Sequence, residues 1–508
     1  MQTATGQRAS WQYALGVFLA AWIVRAGIAL ALPTLYHPDE IYQALENAHR
    51  MVFGYGFVTW EAEYGIRSSV FPGFLAGIIQ ASRLIGEGPH IYLSAVSVVL
   101  AALAAGAVTC AYLWASRLYG VVGGIIAAFV PLAAPELVLL GSKTLTEVVG
   151  THVLIIGLYL AFPGFASESR SRAVAAGLLL GTAMVLRLHM APGLAVIGIA
   201  MLRSWPRERV ALATTGGVAS VLLLGGVVDW LTWGAPFFTH IQNVRLNILF
   251  GVAASFGVWG WYFYLGLLLL SWGTPALIIL GLAGLGTRRA PLLLLVAGAI
   301  LAAHLVVAHK EYRFIYPTLF LAQILAGFGL MEVINWLRLR GVFERLFQGL
   351  PSARVLAAVW MVVVFTAGLR IVTFSIEPLA GLAILHRRDT LQASRAIATL
   401  PNVCGIASYP LSEHLYGGYT SFHRRVPYYP IKSLAEWQQR LPAFNTAIVT
   451  KEFAADQGLP IVACYLDRTC LVQRPGTCEA QPVGPIDRPG PLKNVPRLRE
   501  LWPPAEWR

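Results

Sequence analysis

Two short runs in this sequence gather residue types suited to proton transfer and to anion binding. His37-Pro38-Asp39-Glu40 sets two carboxylates beside an imidazole. A carboxylate at the membrane surface, held against a hydroxyl, can take its proton as that oxygen attacks an electrophile. His309-Lys310-Glu311-Tyr312-Arg313 sets two cations three residues apart beside an apolar run. A phosphate at headgroup depth would meet there a guanidinium that binds it through two parallel hydrogen bonds, the point charge of a lysine, and a histidine donor. Each group also has a plainer reading. Asp39 and Glu40 follow Pro38 where a helix would begin, and carboxylates favour that positive end. Lys310 and Arg313 would equally serve as interfacial anchors, and His309 as a hydrogen-bonded loop residue.

The elements that must hold these runs are membrane helices. The chain has 508 residues, 57% hydrophobic and 12% charged, with net charge +13. A soluble chain carries about a quarter charged residues, so disordered, collagen-like and ordinary cytosolic classes are excluded. Apolar runs recur from residue 11 to about 373. They lack the alternation of a spanning barrel, so the expected spans are helical. The excess positive charge lies mostly in short connections (Arg170, Arg172, Arg203, Arg207, Arg209, Arg288, Arg289, Arg338, Arg340, Arg345). That distribution speaks of topology, not of nucleic acid as a partner.

Apolar segments fall at 11–33, 70–86, 90–115, 119–140, 144–162, 173–187, 190–202, 210–228, 264–285, 290–308, 315–336 and 355–373. Those ten arginines with Arg117 and Arg354 make twelve basic residues on one side of the spans between 90 and 354. Lys143, Arg187, Arg245, Lys310 and Arg313 make five on the other. The richer side is expected to be cytoplasmic, with an uncleaved first span and a cytoplasmic N-terminus. This holds if the short 70–86 segment does not cross, which leaves about eleven transmembrane helices. The first loop (34–89), the Lys143–Glu147 turn, the 229–263 loop and the His309–Arg313 loop then share the outer face. Residues 1–385 form the expected membrane module. Residues 386–508 form a small outer-face α/β domain with strand-like runs at 403–407, 446–450, 461–466 and 470–473 and a poorly structured tail. Its cysteines Cys404, Cys464, Cys470 and Cys478 allow three pairings, which the sequence leaves open.

Along the first loop, Asp39, Gln43, Glu46, Asn47 and Arg50 share one side of a helical pattern and Ile41, Leu45, Ala48 and Val52 the other, as in an interfacial helix. The HPDE run, followed by Thr59-Trp60-Glu61, Ile66-Arg67-Ser68 and Phe71-Pro72, resembles the first luminal loop of the glycosyltransferase family 22 mannosyltransferases. His309-Lys-Glu-Tyr-Arg-Phe-Ile-Tyr-Pro317 is similar to that family's late HKE-x-RF-x-YP motif. Ser142 to Glu147 resembles an SN-x-x-E turn, with Lys143 and Thr144 as departures. Gly257 to Phe263 stands where relatives carry G-x-HPWHWYF, without its histidines, so no role for those histidines carries over.

The resemblance implies a GT-C fold: an all-α integral-membrane bundle with its active site on the luminal or periplasmic face. It also implies a polyprenyl-phosphate sugar donor, inversion at the anomeric carbon, and Asp39 as base with Glu40 as orienter or second acid. The implied reaction moves a hexose, with mannose the first expectation, to a lipid-linked glycan or glycolipid in a bacterial inner membrane or the endoplasmic reticulum. Lys310, Arg313 and His309 would hold the donor phosphate. His37, Trp60, Glu61, Arg67, Glu147, Trp261 and Tyr262 are candidate substrate contacts, the last two in a 229–263 loop whose aromatics also fit an interfacial belt. Arg25, inside the first span, is expected to pair with Glu136. Neither a DxD run nor a histidine cluster indicates a metal, and metal dependence is left open. The competing class is a transporter or flippase of lipid-linked sugars, which calls for polar residues deep in several spans or for broken helices in pairs, and apart from Arg25 and the Lys143–Glu147 turn few such residues are present; a third is a related enzyme that adds a different sugar.

Overall fold

The computed structural model describes residues 4–162, 169–340, 387–414, 416–479 and 481–482. The expected span at 355–373, the junction near 385 and the C-terminal tail lie outside them. The membrane part is built from α1 (Ala4–Ala31), α2 (Glu46–Phe53), α3 (Trp60–Glu63), α4 (Val70–Ser82), α5 (Pro89–Ala133), α6 (Pro135–Leu140), α7 (Thr146–Ala161), α8 (Arg170–Leu186), α9 (Ala191–Ser204), α10 (Arg207–Ser220), α11 (Val228–Trp233), α12 (Phe238–Val244), α13 (Phe263–Trp272), α14 (Pro275–Gly286), α15 (Pro291–Val306) and α16 (Tyr316–Leu339). The longer helices coincide with the apolar segments, while α2, α3, α11 and α12 lie in the loops between them. Among the described residues, four are long and apolar enough to cross a membrane alone, and five if α13 and α14 count as one. That pair fills the segment expected at 264–285 as a broken helix, bent by 114° at its break. Gly273, with φ 63° and ψ −145°, makes the bend.

α5 is two helices rather than one. At Gly120 the backbone leaves the helical region (φ 74°, ψ 176°). A Cβ on Gly124 would sit 2.9 Å from the Cα of Ser116, eight residues back, where a straight helix would separate the two by about 12 Å. The chain therefore reverses at Gly120, between the segments expected at 90–115 and 119–140. α4, with thirteen residues, is about 20 Å long against an apolar thickness of about 30 Å. Its Phe71, Leu75 and Ile79 pack on Ala44, Leu45 and Ala48 of the first loop and on Leu93 and Val96 of α5.

Small residues set the helix spacing elsewhere. A Cβ on Gly329 of α16 would lie 1.8 Å from the carbonyl oxygen of Leu282 in α14, so the two backbones touch, as is common where helices pack in a bilayer. Arg25 is fully buried but does not meet Glu136. Its guanidinium donates to the carbonyls of Pro131 (2.9 Å) and of Ala21 and Leu132 (3.3 Å each). These include groups freed where Pro131 and Pro135 interrupt the helix between α5 and α6. Glu136 instead accepts from Trp272 and Tyr312, both at 2.7 Å.

The C-terminal domain is a five-stranded mixed sheet in the order β2-β1-β3-β5-β4, with β1 (Ile406–Tyr409), β2 (Tyr428–Pro430), β3 (Thr446–Thr450), β4 (Ile461–Tyr465) and β5 (Thr469–Gln473). Only the three-residue β2 was absent from the expected strands, being too short to show a period. The cysteines pair as Cys404–Cys478 and Cys464–Cys470, the second across neighbouring strands. The domain docks on the first loop: the buried Glu46 carboxylate accepts from the backbone and hydroxyl of Thr420, both at 2.7 Å, and from the Phe57 amide at 3.1 Å. Glu46 is thus an interface residue rather than part of a solvated face.

Gly329→Ala should lower the thermal unfolding midpoint in detergent, since a methyl forced into that contact costs about 1–3 kcal/mol. Gly298→Ala, in α15 with open space around it, should not. Equal midpoints for the two variants would refute the close contact.

Candidate active site

Asp39 caps a π-helical turn, Glu40–Leu45, that runs into α2. Its carboxylate takes a hydrogen bond of 2.6 Å from Nη2 of Arg313, a second from Gln43 one turn on, and lies 3.4 Å from Nδ1 of His37. Arg313 comes from the short turn Tyr312–Ile315 that starts α16. Its Nε donates to Glu311 at 2.5 Å and lies 3.7 Å from Glu147, which sits in the first turn of α7. Glu147 is fully buried and paired with Arg187, from the break between α8 and α9. Glu61, in the first turn of α3, accepts from Arg67 at 2.8 and 3.1 Å and from Gln43 at 2.9 Å. Gln43 therefore ties Asp39 to Glu61, and residues from five separate stretches of chain meet in one network of four carboxylates and three guanidiniums.

The network sorts its acids. Burial opposes ionisation of Asp39, but Arg313, with His37 and Arg67, outweighs it and holds the carboxyl well below the usual range. Burial likewise opposes charge on Glu311, yet Arg313 and the hydrogen bond from His309 bring it down to about 2. Glu61 goes the other way. Burial raises it, Arg67 only partly offsets this, and the charge on Asp39 raises it further. Two acids joined through one amide are pushed in opposite directions, the pattern of sites that divide charge between a base and a neighbour.

Some donors in the network stay unfilled. Nη1 of Arg313 and Nε of Arg187 are buried without a hydrogen-bond partner. Arg187 faces a cleft of about 150 Å³ that Gln43, Arg67, Thr146, His189 and His240 also line. Buried donors without acceptors are costly unless a ligand supplies them.

The structure thus gathers His37, Asp39, Glu61, Arg67, Glu147 and Arg313. His309 joins through Glu311, its ring nitrogens 2.9 Å from that carboxylate and 2.8 Å from the Gly257 carbonyl. Glu40 turns away from Asp39: its carboxylate accepts from the Tyr36 and His37 amides at 2.6 and 3.3 Å, so it shapes the loop. Lys310 is buried but donates to the Val307 carbonyl and shares no partner with Arg313. Trp60 stacks on Phe256 at 6.1 Å. Trp261 and Tyr262 are 70% and 63% exposed and outside the network. Gln43, Arg187 and Glu311 join it without having been singled out as site residues. The signals were there: Gln43 is one turn from Asp39, Arg187 is a charge between two apolar segments, and Glu311 lies inside the HKE-x-RF run.

Burial alone would lower the His309 pKa, but the bonds to Glu311 and the Gly257 carbonyl raise it above its ordinary value. Because the folded value exceeds the unfolded one of about 6.5, the charged ring adds stability below that pH and loses it as pH rises through the folded value. Wild-type protein should therefore lose thermal stability through this window, and His309→Gln should flatten the profile. A variant with the same slope would remove His309 as its source.

The Alg9-like mannosyltransferase family matches residues 17–415. "GPI mannosyltransferase 3" of Yarrowia lipolytica is 31% identical over 333 residues, covering 64% of this chain and 64% of that protein. "GPI alpha-1,2-mannosyltransferase 3" of Danio rerio is 28% identical over 341 residues, covering 65% and 62%. The matched region thus spans under two thirds of these relatives. ArnT from Cupriavidus metallidurans, solved with undecaprenyl phosphate, shares the fold with a TM-score of 0.55 at 16% identity, over 94% of this chain and 100% of that one. Both disconnected loop motifs fall inside the family match, and the chain is a member of the Alg9-like mannosyltransferase family.

Proposed function

We propose that this protein is an inverting glycosyltransferase that moves mannose from a polyprenyl-phosphate donor to a hydroxyl of a lipid-linked glycan or glycolipid. The observation that carries this reading is the Asp39–Arg313 pair, joined through Gln43 and Glu147 to a cleft that Gln43 and Arg187 line, with donors left unfilled on Arg313 and Arg187. The sugar is read from the family and from the names its relatives bear. The lipid donor is read from the membrane setting and from ArnT, whose structure holds undecaprenyl phosphate.

In this mechanism the donor phosphate fills the free N–H groups of Arg313 and Arg187, with Arg67 beside them on the cleft wall. As the phosphate draws on Arg313, Asp39 loses part of its counter-charge and becomes a stronger base. The acceptor oxygen bonds to the anomeric carbon from the face opposite the phosphate. The carbon–oxygen bond to phosphate breaks, its electron pair leaves on the phosphate, and the hydroxyl proton passes to Asp39. The guanidiniums stabilise the charge that builds on the departing group.

About eleven spans, a cytoplasmic N-terminus and an active face on the periplasmic or luminal side complete the reading. Arginine placement supports that orientation, and two disulfides in the C-terminal domain fit an oxidising compartment. A transporter would call for broken helices in matching positions of two halves; among the described residues one bent pair occurs.

With polyprenyl-phosphate mannose and a membrane extract as acceptor source, Asp39→Asn should lower the rate by about 10²–10⁴-fold, the usual contribution of a positioned base. Wild-type-like transfer by Asp39→Asn would remove Asp39 from that role. Arg313→Lys should raise the donor KM more than Lys310→Ala does, because Lys310 is bonded to a carbonyl away from the cleft. The reverse order would return the phosphate to Lys310.

A further inference from the structure

A second cleft, of about 60 Å³, shares no lining residue with the first. It lies between the end of α1, the start of α5, the turn after α6, and the helix Arg388–Ala396 of the C-terminal domain. Ile28, Leu32, Leu93 and Val138 give it apolar walls, and Lys143 and Arg395 bring positive charge to it.

Arg395 is answered by no acid among the described residues, whereas Lys143 lies in the field of Glu40. Nε of Arg395 is buried without a partner, and among the described residues neither a hydrogen bond nor an ion pair reaches its guanidinium. Lys143 donates only to the carbonyl and hydroxyl of Thr34, which are neutral. The carboxylate in the lining, Glu40, accepts from the Tyr36 and His37 amides and also faces Lys143, so the lining sets two cations against one anion. Arg388, on the same helix as Arg395, reaches the Ala31 carbonyl beside the cleft wall and adds further positive charge. A cation withdrawn from water in excess of its counter-charge is unfavourable, and a bound anion relieves it. The walls come from the last apolar turns of α1 and the first of α5, where lipid headgroups would lie.

We propose that this cleft binds a phosphate ester carried on an apolar chain, with the phosphate held by Lys143 and Arg395 and the chain lying along α1 and α5. An arginine fork and a lysine suit a tetrahedral phosphate, and the apolar walls suit its chain. The phosphate could belong to a polyprenyl phosphate or to an anionic phospholipid. The assignment does not rest on the chemistry at Asp39: lipid binding is read without turnover, so an inactive protein would leave it standing.

The test uses the full chain in phosphatidylcholine nanodiscs doped with photoreactive undecaprenyl phosphate or photoreactive phosphatidylglycerol, with labelled peptides mapped by mass spectrometry. Labelling is expected on residues 28–35 and 93–97. It should fall about ten-fold in Lys143→Gln/Arg395→Gln, as when a charge-assisted contact is lost, and persist in Lys143→Arg/Arg395→Lys. Labelling by one lipid or by both supports the site and identifies its source. In wild-type protein, unlabelled undecaprenyl phosphate should compete and undecaprenol should not, which keeps the test valid if the glutamine variant fails to fold. No labelling there by either lipid, unchanged labelling in a folded glutamine variant, or equal competition by the alcohol would overturn the proposal.

Discussion

Arg313 is 3% exposed and carries a permanent positive charge. Such a group is stable only where carboxylates and hydrogen-bond acceptors surround it, because desolvation otherwise exceeds any pairwise gain. Asp39, Glu311 and Glu147 supply that environment from three separate parts of the chain. The demand runs in both directions. Arg187 reaches Glu147 from a second side, and Arg313 bridges Glu147 to Asp39. The helix ends near this point are therefore held in register by one electrostatic requirement, in a bundle whose other contacts are largely apolar and non-directional.

The same requirement explains the irregular backbone. A regular α-helix from Asp39 onward would carry Asp39 and Gln43 along one stripe with Glu46 and Asn47. The wider π turn at Glu40–Leu45 lets Asp39 and Gln43 face the arginines while Glu46 meets the C-terminal domain and Ile41, Ala44 and Leu45 stay buried. π turns recur at functional sites for this kind of reason. The loop serves three neighbours at once: the arginine cluster, the α4–α5 packing, and the sheet domain.

Much of this was legible in the sequence, and the gaps have physical causes. Apolar runs mark the helices because a bilayer tolerates little else, and the two loop motifs mark the cluster because charged residues beside spans are few. What the one-dimensional pattern does not carry is direction. Glu40 and Lys310 have the right chemistry and the right neighbours, but Glu40 is one residue from Asp39 on a helical turn and points apart from it, and Lys310 lies outside the Tyr312–Ile315 turn that carries Arg313, so Asp39 and Arg313 enter the cluster while these two satisfy backbone groups. Arg187 counted only as a topological charge, since nothing local reveals Glu147 across two helices. Trp261 and Tyr262 lie in a run whose composition fits a binding platform, and the structure leaves them exposed. The break at Gly273 and the reversal at Gly120 show the opposite limit: a glycine marks where a helix can stop, not the angle at which it resumes.

The Glu46–Thr420 contact joins residues 374 positions apart. At synthesis rates of about 5–20 residues per second, the first loop emerges roughly 20–75 seconds before the segment that satisfies its buried carboxylate. Arg313, 274 positions beyond Asp39, arrives late as well. For most of its time on the ribosome the nascent chain holds a first loop in which Asp39 and Glu46 lack Arg313 and Thr420. Chain order therefore makes completion of the site one of the last events of biogenesis, and a chain released before Thr420 would carry membrane helices around an unfinished centre.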